Sequence, residues 1–483
     1  MKSSIYIRVL LTFIALNGFI ATYGQQRSDS LLQYLELAAK NNPTVLQRFN
    51  EYQAALQKIP QVGSLPDPEL SIGVFLKPME LVSGNQVADI RLMQMFPWFG
   101  VLKNAKDEMS LMAKAKFESF RDAKSQVFYD VQRTWQELQK VEQDIRISEK
   151  NIDILHTIER LALVKFKAAP AGESNSSASY SGMSNGNAQS TSSNSSGMNS
   201  MGGRSGNANA SSSNQQSAAQ QTGSMGSQAS GSGLSDLYRI QMEIGELDNY
   251  IALLKNQQNT IVARFNSYLN RPIQYLVSLP SSLATDSLGI SILAVSDSML
   301  LNNPMLGMLK FEQQSLEARK RMVSRMGYPM VGLGVNYSLI NKNPMSTSSM
   351  NGKDMIMPMV TVTLPMYRKK YNSMRSEVEL LKTATEQGYK ATANTLQVEY
   401  YEALQKYKDS ERRIKLYENQ SQLARKTLDI MIKGFSVSGS GLSDILRIRQ
   451  QMLDYDTKKI EAITDFNTAI AWLKRLMATS KIQ

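Results

Sequence analysis

The residues of this chain best suited to chemistry are methionines. There are 27 of them, against no cysteine and a single histidine. Thioether sulfur is a soft ligand suited to Cu(I) and Ag(I). Met93 and Met95 alternate in "VADIRLMQMF", and Met355, Met357 and Met359 alternate in "DMIMPMVTVTL". Alternate residues of a strand share one face, so each set is expected on one surface, with Met330 beside them. Met183, Met198, Met201 and Met225 lie in a Ser/Asn/Gly-rich stretch where nothing is expected to pack them. A passage lined with such sulfurs would hold soft cations weakly and let them move on. Methionine is also an adaptable filler of irregular space, and that use competes with the first.

Other chemistry finds little footing. No serine nucleophile with its base, phosphate loop or set of paired acids at metal spacing stands out, so neither an enzyme nor a bound cofactor is expected. Without cysteine there is no disulfide, thiolate metal site or lipidated N-terminal cysteine. The formal charge of +12 is spread along the chain rather than gathered into a basic patch with interleaved aromatics, which argues against nucleic acid. His156 falls within a long heptad-like segment, where a surface or interface position is expected.

The N-terminus has the form of an export signal over residues 1–24. Lys2 and Arg8 precede an apolar run from Val9 to Ala21, and small residues lead to Gly24. Beyond it no apolar run is long enough for a membrane helix.

The rest reads as two copies of one plan, residues 25–290 and 291–483. "SGSGLSD" occurs at Ser230–Asp236 and again at Ser438–Asp444, "NNP" at Asn41–Pro43 and Asn302–Pro304, and "LQK" at Leu138–Lys140 and Leu404–Lys406. Their offsets are 208, 261 and 266 residues. The shortfall in the first is filled by Ser174–Ser230, which holds no Leu, Ile, Val or Phe and one charge, Arg204. Such a segment buries too little apolar surface to offset its ordering entropy, so an inserted, disordered stretch is expected at 174–230.

Each copy opens with a helix, Ser30 to about Ile59 and Ser296 to about Met326. Two strands and a very long helix follow, the helices at about Val101–Lys167 and Tyr371–Lys433. In the first, Phe128, Val131, Trp135, Leu138, Val141, Ile145, Ile152 and Leu155 recur at steps of three or four, with Ser148 in the one gap, as coiled-coil packing requires. Such a helix reaches roughly 100 Å at about 1.5 Å per residue. A turn at SGSGLSD then leads to returning helices at Leu234–Asn270 and Leu442–Thr479. The turn's glycines permit a tight reversal, with Ser235/Asp236 and Ser443/Asp444 as expected helix caps. Asp236 and Asp444 are also candidates to draw cations to an entrance. Arg239 and Arg447, one turn on, are candidates to pair with acids of a neighbouring copy.

The strands, about 68–76, 87–96, 328–340 and 354–364, are each long enough to cross a bilayer when tilted. Val331, Leu333, Val335, Tyr337 and Leu339 oppose Gly332, Gly334, Asn336 and Ser338. Ile356, Val360, Val362 and Leu364 oppose the methionines and Thr361 and Thr363, and Ile90 and Leu92 oppose Asp89 and Arg91. Apolar outside and polar inside is the pattern of a membrane barrel, although a half-buried soluble sheet alternates in the same way. Four strands cannot enclose a channel, so several copies would have to share one barrel.

With these elements in order, the chain resembles the TolC-type outer-membrane efflux proteins. The resemblance rests on the duplicated helix, hairpin, long helix, turn and helix, on "MFPWFG" (Met95–Gly100) and "LPMY" (Leu364–Tyr367) where strand passes into long helix, and on the repeated tips. It implies a mainly α fold with membrane β: a homotrimer with an α-helical tunnel through the periplasm and a shared twelve-stranded β-barrel, four strands per protomer, seated in outer-membrane lipid. It further implies that the tips, Gly233, Leu234, Ser235, Asp236 and Arg239 with Gly441, Leu442, Ser443, Asp444 and Arg447, dock a periplasmic adaptor (membrane fusion) protein serving an RND-type inner-membrane pump. Within the family the style is similar to the CusC-like heavy-metal group, though that group's lipid-bearing cysteine is absent and the insertion is unusual. Export of Cu(I) or Ag(I) is the leading expectation. The same duct serving multidrug or type I secretion export is the alternative, and a secreted coiled-coil scaffold or adhesin is the alternative of another class.

Overall fold

A computed structural model describes residues 31–168, 232–289, 291–437 and 441–478. The expected signal segment and the 174–230 insertion, with Met183, Met198, Met201 and Met225, lie outside them. In chain order the elements are α1 (Leu31–Asn41), α2 (Pro43–Gly63), β1 (Glu69–Leu81), β2 (Gly84–Phe96), α3 (Val101–Ala168), α4 (Ser232–Tyr268), α5 (Ile292–Asn302), α6 (Pro304–Met326), β3 (Met330–Asn341), β4 (Met355–Thr363), α7 (Arg368–Val437) and α8 (Leu442–Leu476). No described helix is long and apolar enough to cross a membrane.

The opening helix of each half is broken where one helix was expected. The break falls in both NNP triplets, and chain chemistry explains it. Proline has no N–H and is well placed only in a first helical turn. The asparagine before it caps the new helix: Asn42 Oδ1 accepts from the amides of Thr44 and Val45, and Asn303 Oδ1 from that of Met305. The other end of each amide clamps a distant chain terminus. Asn42 Nδ2 donates to the Tyr268 carbonyl at 2.8 Å, and Asn303 Nδ2 to the Leu476 carbonyl at 3.0 Å. Those carbonyls end α4 and α8. Just beyond them stand Asn270 and Ala478, the two non-glycine residues of positive φ among the described residues (51° and 50°).

Core positions recur around these clamps at fixed offsets. In the first half Tyr34, Ala38 and Val45 pack with Val131, Trp135, Phe265 and Leu269. In the second, Val295, Met299 and Leu306 pack with Leu396, Tyr400, Leu473 and Met477. The offsets are 261 for the opening helices, 265 for the long helices and 208 for the returning ones. The LQK triplets, 266 apart, miss the long-helix register by one residue.

The heptad-like stripe of α3 is the buried one: Phe128, Val131, Trp135, Leu138, Val141, Ile145 and Ser148 are all buried. Leu138, Val141 and Ile145 meet Ile251, Leu254 and Ile261 of α4. The described residues 155–168 and 232–244 belong to a compact unit of their own. Within it Leu155, Ile158 and Ile240 are buried, and Gln241 donates to Glu159 at 3.2 Å. His156 is half exposed beside Glu159, at 3.2 Å.

The four strands form one antiparallel sheet in the order β1-β2-β3-β4. The β1–β2 register shifts between Val74 and Met79, where residues 75–78 stand against residue 87 alone. Asp354, just before β4, accepts from Tyr337 Oη and, at 3.0 Å, from the Ile340 amide. The β3–β4 loop is tied to the β1–β2 turn by Gly352 N–H to the Ser83 carbonyl (3.0 Å) and Ser346 Oγ to that of Val82 (2.7 Å).

Candidate functional site

Strand register decides which side chains share a surface, because paired residues of neighbouring strands lie on the same face. Across the sheet, Glu69, Met93, Gly334 and Met359 form one row. Ser71, Arg91, Asn336 and Met357 form the next, and Gly73, Asp89, Ser338 and Met355 the one after. On the other side of the first row lie Met95, Gly332 and Thr361. Met93, Met95, Met355, Met357 and Met359 therefore share the polar face, as does Met330, which pairs with Thr363.

The opposite face is aliphatic. Between residues 89–95, 330–338 and 355–363 it carries Ile90, Leu92, Val331, Leu333, Val335, Ile356, Val360 and Val362, with Gln94, Tyr337 and Pro358 among them, and no methionine. This face is bare: Ile72 is 65 % exposed and Val360 70 %. A bare apolar surface of this breadth marks a membrane or protein contact.

Gly332 and Gly334 shape the methionine face. A Cβ at 332 would lie 2.6 Å from the Met95 sulfur, so that sulfur rests over bare backbone. At Gly334, between Met93 and Met359 on the strands to either side, a Cβ would lie 2.8 Å from the Leu92 carbonyl oxygen, so the β2 backbone approaches closely there. Next along β3, Asn336 is 8 % exposed; its Nδ2 reaches Ser338 Oγ at 3.4 Å, and its Oδ1 has no hydrogen-bond partner. Met93, Met95, Met357 and Met359, with Arg91 and Thr361, thus flank two glycines and one buried amide oxygen. No group of three or more His, Asp or Glu residues suited to a metal occurs among the described residues.

The tips differ from expectation. Helix α4 begins at Ser232, which puts Gly233, Leu234, Ser235 and Asp236 inside it, and α8 is capped by Gly441 with no side-chain bond. Ser235, Asp236, Ser443 and Asp444 are therefore not caps. Asp444 instead lies in the first turn of α8, where the helix dipole favours an anion, and Arg447 Nη2 pairs with it at 2.7 Å. The partner seen for Arg447 is thus in its own chain. Leu442 is buried, and Leu234 is exposed. Arg239 lies two turns into α4.

One carboxyl was missed by sequence reasoning. Asp144 of α3 is 4 % exposed, and its Oδ1 has no hydrogen-bond partner. Burial pushes its pKa up to about 6, against the pull of Lys140, with Glu461 adding to the rise. It lines a cavity of about 300 Å³ with Lys140, Tyr250 and Arg264. Its signal was an aspartate one residue from the apolar stripe, next to Ile145.

Long paired helices leading into a four-stranded, apolar-faced sheet define the fold of TolC-type outer-membrane channels. The chain is similar to the CmeC outer-membrane channel of Campylobacter jejuni at 13 % identity and a TM-score of 0.65, over 93 % of this chain and 85 % of that one. It is similar to the open MtrE outer-membrane channel of Neisseria gonorrhoeae at 11 % identity and a TM-score of 0.65, over 93 % and 88 %. It is also similar to CusC, known in conformations that accompany folding and transmembrane channel formation, at 10 % and 0.64, over 93 % and 92 %. No protein-family model and no curated protein sequence matches the chain.

Proposed function

We propose that this protein is the outer-membrane duct of a tripartite efflux system and that its cargo is a soft metal cation such as Cu(I) or Ag(I). It is a passive conduit rather than an enzyme. Three copies would pool their strands into a twelve-stranded barrel, which a sheet with two free edges, β1 and β4, requires for closure. The bare aliphatic face would meet lipid, and the methionine face would line the lumen. The tips at Gly233–Arg239 and Gly441–Arg447 would dock the periplasmic adaptor that connects to an RND-type pump.

The observation that carries the cargo reading is the segregation of six methionines from eight aliphatic residues across three strands. Filler methionine would be shared between the faces. Here it is confined to the face that also holds Asp89, Arg91, Asn336 and Thr361, where water would accept other side chains as readily. Replacing Met93, Met95, Met357 and Met359 together by isoleucine keeps bulk and apolarity while removing sulfur. Cells relying on that variant are expected to lose silver and copper tolerance while keeping tolerance to dyes and antibiotics. Unchanged metal tolerance would end the cargo reading. Lost drug tolerance in a null strain, with metal tolerance intact, would favour a multidrug duct.

A further inference from the structure

We propose that the junction between sheet and long helices in the second half holds the phosphate of a membrane phospholipid. This rests on the outer-membrane reading above and adds a binding site to it.

A cavity of about 430 Å³ opens where β4 passes into α7. One part of its wall is apolar, from Leu364 and Met366, with the ring of Tyr328; the other carries Arg368 and Arg375. No acidic residue lines it. Such a wall matches a ligand that is itself apolar at one end and anionic at the other.

The surroundings place the lipid headgroup layer at this level. The bare aliphatic face of the sheet ends here. Beyond it come aromatics of the kind that settle at a membrane–water boundary: Phe99 (83 % exposed), Tyr367 (84 %) and Tyr328, on which Trp98 stacks at 5.3 Å. The next residues are basic. Arg368, Lys369 and Lys370 open α7, and Arg375 follows one to two turns on. Arg325, in the last turn of α6, donates to the Phe99 carbonyl at 3.3 Å, its side chain crossing Gly100, where a Cβ would lie 3.0 Å from it.

The electrostatics want an anion. Three cations at the start of a helix stand at the positive end of its dipole, where each is disfavoured. No described carboxylate forms an ion pair with Arg325, Arg368, Lys369, Lys370 or Arg375, although the neighbouring Arg319, Lys320 and Lys382 are all paired with glutamates. Arg375 reaches only the Ser324 carbonyl, at 3.5 Å. A phosphate between Arg368 and Arg375 would supply the missing charge, and its glycerol and first acyl carbons would lie on Leu364 and Met366.

The test uses the full-length protein in bilayers of phosphatidylcholine doped with phosphatidylglycerol, extracted gently and examined by native mass spectrometry. Wild type is expected to retain phosphatidylglycerol. Arg368→Gln with Arg375→Gln should retain about tenfold less, in line with the strength of paired basic contacts to anionic lipid. Arg368→Lys with Arg375→Lys should keep most of it, and millimolar inorganic phosphate should not displace it. Equal retention by wild type and the glutamine variant overturns the proposal, as does displacement by inorganic phosphate, which would leave a simple ion site. A wild-type protein that never enters the bilayer would overturn the outer-membrane reading as well, and this is distinguishable because the other failures occur with the protein inserted.

Discussion

The two halves of the molecule share their clamps and differ in what surrounds them. Asn42 and Asn303 make the same pair of contacts, one to a helix start and one to a returning helix end. Around Asn42 the core is aromatic: Tyr34, Trp135 and Phe265 meet with ring centroids 5.1 to 5.7 Å apart, under the Arg271 guanidinium. Around Asn303 it is mostly aliphatic, with Tyr400 turned to the Ile292 carbonyl. The strand-to-helix passages diverge too. "FPWFG" of the first half stands against "LPMYR" of the second, an aromatic corner against a basic one. Polar groups that fix backbone ends are retained because few side chains serve that geometry. Volume and surface charge drift because many do.

The largest effect that separates the halves is expected at Asp144 and its counterpart Asp409, one long-helix offset away. Asp144 is buried, whereas Asp409 is half exposed and pairs with Arg412 at 2.8 Å. Because burial raises its folded pKa to about 6, Asp144 holds its proton more tightly folded than unfolded. Its ionisation therefore costs stability as pH rises from about 4 to 6, and the full cost, at most about 3 kcal/mol, stands above that window. Asp144→Asn should stabilise the protein at pH 7 by about 2 kcal/mol and have little effect at pH 4. Asp409→Asn should change stability by less than about 0.5 kcal/mol at either pH. Heat-induced unfolding in detergent at both pH values checks this. A pH-independent gain at Asp144 would mean that the carboxyl is solvated.

A smaller effect, and an equal one, is expected at the clamps. Asn42→Ala removes a helix cap and leaves the Tyr268 carbonyl without its donor, together costing about 2 kcal/mol. Asn303→Ala should cost the same within about 0.5 kcal/mol, despite the different cores. Unequal losses would show that the surrounding side chains, rather than the amides, hold these junctions.

How far this was legible from the residues follows from the kind of order involved. Strand faces were readable because the side-chain period of two is fixed by the backbone, so Met93 and Met359 reach one face whatever lies around them. The long helices were readable because their apolar stripe is sustained over many turns. The NNP break was present in the residues, as a capping residue before proline, yet two triplets served only to align the halves. The tip caps could not be resolved. Every residue of SGSGLSD suits a turn or a helix start, and only the backbone shows that Gly441 takes the cap position. Asp144 stayed hidden because the sequence of α3 does not reveal that Tyr250 and Leu254 of α4 line the cavity beside it, or that the charge of Glu461 acts on it.

The smallest effect is at the second tip. An exposed pair three residues apart on a helix contributes only about 0.2–0.5 kcal/mol, so Arg447→Ala should leave unfolding almost unchanged. Its value lies in conductance. If Arg447 serves only its own Asp444, exchanging the two charges within the chain preserves the pair, and the open-channel current in planar bilayers should match wild type. If it also holds a neighbouring protomer's acid, the exchange sets two anions against each other at the entrance and the current should rise. A rise would make the contact in the single chain the resting half of a lock between protomers. No change would make it a local ornament of the helix start, with the entrance held elsewhere.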